Sequence, residues 1–127
     1  MADSIYVVDN GLGIITNRIM GSGTEPKYIG WGTGTTPATP ADTGLQTAGT
    51  ESRVTGTSSR VKTSTTNDTY QVVGTITCAG SAKAITEVAL YDAATSGTCF
   101  LRGTFSPINV NVGDSIQFTI KCVFNQG

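Results

Sequence analysis

Hydrophobic and polar residues alternate along the C-terminal part of the chain. One set of alternate positions is apolar: Ile116, Phe118, Ile120, Cys122 and Phe124. The other set is polar: Gln117, Thr119, Lys121 and Asn125. Successive side chains of a strand point to opposite faces, so a period of two predicts a strand with one buried face.

Earlier segments repeat this strand-like character. Residues 70–78 alternate in the same way, and residues 99–105 also alternate. Short β-prone runs occupy residues 27–31 and 84–92, while the polar, Thr-rich residues 60–66 are typical of an edge strand or arm. Pro107 predicts a bend before Ile108. Several short strands separated by turns favour an antiparallel β-sandwich or barrel.

One segment near the N-terminus has helical spacing instead. Leu12, Ile15 and Ile19 recur every three or four residues, Asp9 or Asn10 is placed to cap, and Gly21 stands where a helix would stop. We therefore expect one short helix over residues 10–20. With no repeat and no linker, residues 1–127 form a single predicted domain with an extended N-terminal arm at about residues 1–8.

A long connection follows the strand at residues 27–31. Residues 32–42 are rich in Gly, Thr and Pro, and Pro37 and Pro40 each lack an amide donor. Gly30, Gly32 and Gly34 match neither a P-loop nor a dinucleotide-binding fingerprint, because no Lys-Ser/Thr pair or helix follows them. We interpret these glycines as permitting a tight or left-handed turn.

Composition limits the classes of function. Charged residues make up 13% of the chain and the net charge is −1, with the eight Lys and Arg scattered. Nucleic-acid binding usually needs a concentrated basic face, so no nucleic-acid partner is expected. No apolar run approaches the roughly 18 residues of a membrane span. The N-terminus also lacks the pattern of a signal peptide.

The candidate chemistry is sparse. Without any histidine, a Ser-His-Asp or Cys-His nucleophile is excluded. Cys78, Cys99 and Cys122 fit neither a disulfide framework nor a metal pattern, so we expect buried free thiols. Acid pairs such as Asp92 with Asp114, or Glu51 with Glu87, are expected by chance among nine acids. We predict no catalytic activity, no cofactor and no metal.

Five polar or aromatic residues are candidates for structural or interface roles. Glu87 and Arg53 could form an ion pair between strands, and Asp92 is placed to shape the turn over residues 93–97. Tyr28 and Trp31 belong to residue types enriched at interface hot spots, although we favour the other interpretation, which is an ordinary core or rim position.

Several segments occur in an order that resembles small structural proteins of tailed-phage particles. They are residues 27–36 (KYIGWGTGTT), 42–45 (DTGL), 51–53 (ESR), 87–92 (EVALYD), 105–108 (FSPI) and 112–118 (VGDSIQF). The families in question are head decoration (cement) proteins and related tail-fibre or baseplate β domains.

The resemblance implies a jelly-roll-like antiparallel β-sandwich with a structural, non-enzymatic role. The expected function is capsid decoration, in which the protein binds the major capsid protein on the outer surface of the virion after assembly in the host cytoplasm. A homotrimer is favoured by lattice symmetry. The alternative is a tail-fibre or baseplate structural domain involved in host-surface binding. The predicted interface residues are Ile5, Tyr6, Val7, Tyr28, Trp31, Thr35, Pro37, Arg60 and Lys62.

Overall fold

The protein is mainly β. The computed structural model describes residues 4–126, which form eight strands and one helix. In chain order they are β1 (Ser4–Val7), α1 (Asp9–Ile19), β2 (Tyr28–Gly32), β3 (Val54–Thr55), β4 (Thr57–Val61), β5 (Thr69–Thr77), β6 (Lys83–Tyr91), β7 (Cys99–Val110) and β8 (Ser115–Val123).

The strands form two antiparallel sheets. The larger has the order β1-β7-β6-β2-β3 and the smaller has the order β4-β5-β8. The chain passes from one sheet to the other at Gly56, where an added Cβ would lie 2.3 Å from Cγ1 of Val72. No larger residue fits this crossing. The expectation of an antiparallel β-sandwich with one short N-terminal helix is confirmed.

The core lies between the two sheets. Alternate residues of the smaller sheet face it, including Val72, Ile76, Phe118 and Ile120, as the period of two predicted. On the larger sheet, Ile29 and Leu90 complete the same cluster. A second cluster, formed by Val8, Ala89, Tyr91 and Cys99, is packed against Leu45. Tyr91 and Leu90 are neighbours on β6, so this second cluster lies on the opposite face of the larger sheet.

The bend predicted between Phe105 and Ile108 falls at an irregularity of strand β7, and the strand continues past Pro107. Pro107 lies inside this twelve-residue strand. Ile85 pairs with Ile108, but Glu87 pairs with Thr104, so β7 has two extra residues here and the register shifts. A proline cannot donate to a ladder, and bulges of this kind are where strands tolerate it.

Helix α1 begins and ends within one residue of the predicted bounds. Its N-cap is Val8, which makes no side-chain capping bond, so neither Asp9 nor Asn10 caps the helix. Gly21 follows the helix with a φ of +83°, so the predicted stop at Gly21 is confirmed and is a left-handed one. The buried face contains Gly11 and Ile14.

The predicted N-terminal arm is an edge strand over its described part. Residues 1–3 lie outside the described residues. From Ser4 opposite Thr104 to Val7 opposite Leu101, β1 pairs with β7, so the segment belongs to the larger sheet. The polar segment predicted at residues 60–66 also contributes to an edge, because β4 is the outer strand of the smaller sheet.

Candidate functional site

The sequence-predicted interface residues of β1 have different environments. Ile5 is 57% exposed and Tyr6 is 46% exposed, while Val7 is half-buried against the main core. The first two are available to a partner. Val7 contributes chiefly to the core.

Trp31 does not belong to an exposed interface. Its side chain is 2% exposed, and its indole Nε1 donates to Oε1 of Glu51 at 2.8 Å. Tyr28 is half-buried and packs against the second cluster. The core alternative is therefore the correct one for Trp31, because a side chain with a satisfied donor inside a sandwich cannot contact another protein.

The remaining predicted interface residues lie on two separate surfaces. Thr35 and Pro37 are exposed in the loop next to β1, where the amide of Ala38 donates to Oγ of Ser4 at 2.9 Å. Arg60 and Lys62 are exposed at the outer edge of the smaller sheet. The structure therefore does not gather the nine residues into one site.

A buried polar network fixes the long loop. The Glu87 side chain is fully buried, and its carboxylate accepts from the amides of Gly34, Gln46 and Thr47, each at 2.8 Å. It also accepts from Nε of Arg102 at 2.9 Å. The predicted ion pair of Glu87 with Arg53 is wrong, because β6 places Glu87 beside β7 and its arginine.

Arg102 extends this network to the far side of the loop. Its guanidinium donates to Oδ2 of Asp42 at 2.9 Å and to the carbonyl of Thr36 at 3.0 Å. Burial raises the pKa of Glu87, but the three backbone amides and Arg102 outweigh it, so this pKa lies below its ordinary value. Burial acts against the charged form of Arg102, yet its two carboxylate partners raise the pKa above the usual one. The pair is charged and structural.

Arg53 has a different role from the one predicted. Its guanidinium lies 3.4 Å from the centroid of the Tyr91 ring and donates to the carbonyls of Ala93 and Ser96. The predicted role of Asp92 is confirmed, because its Oδ1 accepts from the amide of Thr98 at 2.7 Å and closes the intervening turn.

The glycines of the long loop are needed for close approach. None of Gly30, Gly32 and Gly34 has a positive φ, so the left-handed alternative of the predicted tight or left-handed turn is wrong. A Cβ on Gly32 would lie 2.3 Å from the carbonyl oxygen of Thr47 and 2.5 Å from Oε2 of Glu87. The absence of a side chain lets the loop reach the buried carboxylate.

The other candidate acids are also structural. Glu51 accepts from Trp31, from the amide of Ala79 and from Nζ of Lys83. Burial raises the pKa of Glu51, but these donors outweigh it and lower the pKa to about 2. Asp114 accepts from the amide of Asn111 in the turn before β8, away from Asp92. The acids of the two pairs therefore serve separate loops, in agreement with pairing by chance.

Two further features of the described residues concern unpaired polar atoms and metal ligands. Every buried side-chain nitrogen or oxygen there has a hydrogen-bond partner, and no group of three or more His, Cys, Asp or Glu could hold a metal ion. Cys78 and Cys99 are buried and free, as predicted, and Cys122 is half-buried and free. Burial raises the pKa of the Cys99 thiol to about 11.

An apolar cleft lies between α1 and the end of the sandwich, with a volume of about 510 Å³. Its walls are mainly apolar: Ile14, Ile15, Ile19, Pro26, Phe100 and Phe124. Arg18, Glu25 and Tyr70 also line it, and the Tyr70 hydroxyl donates to Oε1 of Glu25 at 2.9 Å. The polar groups are thus already paired.

Large apolar side chains on α1 and at the cleft are exposed, and two of them, Ile19 and Phe124, line the cleft. Ile19 is 81% exposed, Met20 79%, Leu12 56% and Phe124 51%. We call these four residues the helix patch. Sequence reasoning missed it as a surface. The spacing of Leu12 and Ile19 was read as a sign of a helix, but α1 turns Gly11 and Ile14 to the core instead.

No protein-family model matches this chain, and no curated protein or solved structure matches it either. Along residues 4–126, no helix is long and apolar enough to span a membrane.

Proposed function

We propose that this protein is a non-enzymatic capsid decoration protein of a tailed phage, which binds the major capsid protein on the outer surface of the head. The proposal combines the order of sequence segments that resembles such proteins with a surface suited to binding. It assigns the protein no reaction, no cofactor and no metal.

The helix patch is the observation that carries the proposal. Ile19 and Phe124 line an open apolar cleft, and Leu12 and Met20 add exposed apolar side chains on α1 and at its C-terminal end. The buried charged groups, in contrast, are all engaged in holding loops. Contiguous exposed apolar surface on a soluble protein marks an interaction site. A partner that fills the cleft would remove Ile19 and Phe124 from water.

Decoration acts by bridging neighbouring capsid subunits. Each copy adds buried area across a boundary that internal pressure would otherwise open, and a stable contact needs a total of about 1,600 Å². A symmetric oligomer such as a trimer multiplies the contacts each unit makes with the lattice. The exposed residues Thr35, Pro37, Arg60 and Lys62 are further contact candidates in this proposal.

Capsid binding provides the direct test. Purified protein is added to capsids that lack decoration, and binding is measured by co-sedimentation together with the temperature at which the capsids rupture. We expect binding at many copies per particle and a higher rupture temperature. Ile19→Asp is expected to abolish both, because it places a charge at the cleft.

Val112→Asp is the matched control. Val112 is also an exposed apolar residue, at 60%, but it lies in the turn before β8 rather than at the helix patch. This variant should bind like the unmodified protein. Absence of binding by the unmodified protein would remove the proposal, and a few copies located only at the tail would favour the tail-fibre or baseplate alternative.

A further inference from the structure

The outer edge of β8 differs from the other edges of the two sheets. Over the described residues β8 pairs only with β5, through nine consecutive residue pairs without a register shift. It contains no proline or glycine, and its one charged residue is Lys121. Natural proteins protect edge strands with short length, prolines, bulges or charges.

The other edge strands are shorter. Strand β3 has two residues, β1 has four, and β4 has five residues including the exposed Arg60. Strand β8 has nine residues, or about 30 Å of edge at roughly 3.4 Å per residue. Among residues 4–126 it is the longest edge strand, and Lys121 is its only charged residue.

The hydrogen bonds at both ends of β8 reveal which backbone groups are free. The amide of Cys78 donates to the carbonyl of Asp114, and the amide of Phe124 donates to the carbonyl of Asp68. In an antiparallel ladder alternate residues bond to the same neighbour, so the even-numbered residues of β8 bond to β5. The amides and carbonyls of Gln117, Thr119 and Lys121 therefore point away from β5.

The larger sheet extends beyond this free edge. Strand β5 lies against β2 and β3, and Phe118 of β8 contacts Phe105 of β7 with ring centroids 6.3 Å apart. Strand β1, next in order after β7, then has no strand of the smaller sheet opposite it.

Ile5 marks the uncovered position. It pairs with Gly103, and Val7, on the same face of β1, packs against the core between the sheets. Yet Ile5 is 57% exposed. Ile5 is therefore an apolar side chain on the inner face of the larger sheet that no strand of the smaller sheet covers. One more strand, added in the room beside β8, would cover it.

A second copy of the whole protein does not fit this room. Two β8 strands paired antiparallel are related by a two-fold axis normal to the sheet, so both larger sheets would lie on the same side. Strand β8 of the second copy would then lie over β1 of the first copy. Because β7 lies beneath β8 within each copy, β7 of the second copy would clash with β1 of the first. The room therefore suits a single strand.

We propose that the free edge of β8 accepts one extended segment of another protein chain, which adds a fourth strand to the smaller sheet and covers Ile5. The segment runs antiparallel to β8, and its alternate residues bond to Gln117, Thr119 and Lys121. Addition of a strand to an exposed edge is an established mode of peptide recognition.

The edge also defines the chemistry of this segment. Its inward side chains are apolar, because they continue the layer of Phe118 and Ile120 over Ile5. Its outward side chains are polar and uncharged, except for one acidic residue beside Lys121, since opposite charges on neighbouring strands attract. The inference does not depend on the capsid proposal, which rests on the helix patch.

A designed peptide tests the inference. The probe is a nonapeptide with blocked termini that alternates Val and Thr, with one Thr replaced by Glu to face Lys121. Binding is measured by fluorescence anisotropy, and amide hydrogen exchange is followed by NMR. We expect new protection at Gln117, Thr119 and Lys121, and no binding by a peptide of the same composition without the alternation.

Two pairs of variants locate the site. Thr119→Pro removes an outward amide without breaking the ladder to β5 and should weaken binding about tenfold, while Thr119→Val should leave it unchanged. Ile5→Lys should weaken binding, whereas Tyr6→Lys, on the opposite face of β1, should not.

Other outcomes would overturn the inference. They are protection of amides elsewhere, no binding at millimolar peptide, or an equal effect of both variants in either pair. Concentration-dependent protection of the same β8 amides without peptide would also overturn it, because the occupant would then be a second copy. If Ile19→Asp loses capsid binding and keeps peptide binding, the two proposals are separate.

Discussion

Replacing Glu87 by Gln tests whether the buried carboxylate holds the loop. Its Oε2 accepts from Gly34 and Thr47, and its Oε1 accepts from Gln46 and Arg102. A glutamine must place an amide nitrogen at one of these positions, where it meets two donors. Two buried donors then lose their acceptor, at about 1–3 kcal/mol each.

The expected loss of unfolding free energy is therefore roughly 3–5 kcal/mol, which agrees with the cost of breaking a buried ion pair by removing one partner. Trp31 is the single tryptophan and is buried, so its fluorescence reports urea unfolding. The midpoint should fall by about 2 M urea. Thermolysin should also cleave within residues 33–47 faster than in the unmodified protein.

Asp9→Asn serves as the control, because it removes the same charge from an exposed position in the first turn of α1. Its effect should stay below about 1 kcal/mol. A loss of less than about 0.5 kcal/mol for Glu87→Gln, together with unchanged cleavage of the loop, would refute the role given to this carboxylate.

Three further predictions concern local features of the structure. Gly32→Ala should destabilise the protein by about 1–3 kcal/mol, because the added Cβ meets the carbonyl oxygen of Thr47. Gly13→Ala should stabilise the protein by about 0.5–1 kcal/mol, because Gly13 lies on α1 with open space around it. Urea unfolding measures both changes. The pKa of Glu51 is about 2 in the folded protein against 4.5 ordinarily, so the stability that its carboxylate contributes is present above pH 4.5 and is lost as the pH falls towards 2. Glu51→Gln should flatten this part of the curve of unfolding free energy against pH. An unchanged slope would contradict the role given to Glu51. Cys99 should resist iodoacetamide in the native protein, because burial raises the pKa of its thiol to about 11. The thiol should react once urea unfolds the chain. Rapid alkylation of Cys99 in the native protein, located by mass spectrometry, would contradict this prediction.

Local patterns made much of the fold predictable. The strand over 116–125 and the helix over 10–20 were found within two residues of their bounds, because side-chain periodicity and a glycine stop are encoded by neighbouring residues. The candidate surfaces were less predictable. Trp31 was placed at an interface although it is buried, and the helix patch was missed, because neither exposure follows from spacing alone.

The sequence by itself determined that this is a β-sandwich with a short helix, and that a mechanism based on histidine is excluded. Only the tertiary structure decided that Glu87 pairs with Arg102 rather than Arg53, that β6 is buried on both faces beneath the loop, and that β8 keeps an open edge. The physical reason is the range of the interactions. Periodicity arises between adjacent residues, whereas partners, covering loops and free edges depend on strand register and on how two sheets of unequal width are stacked.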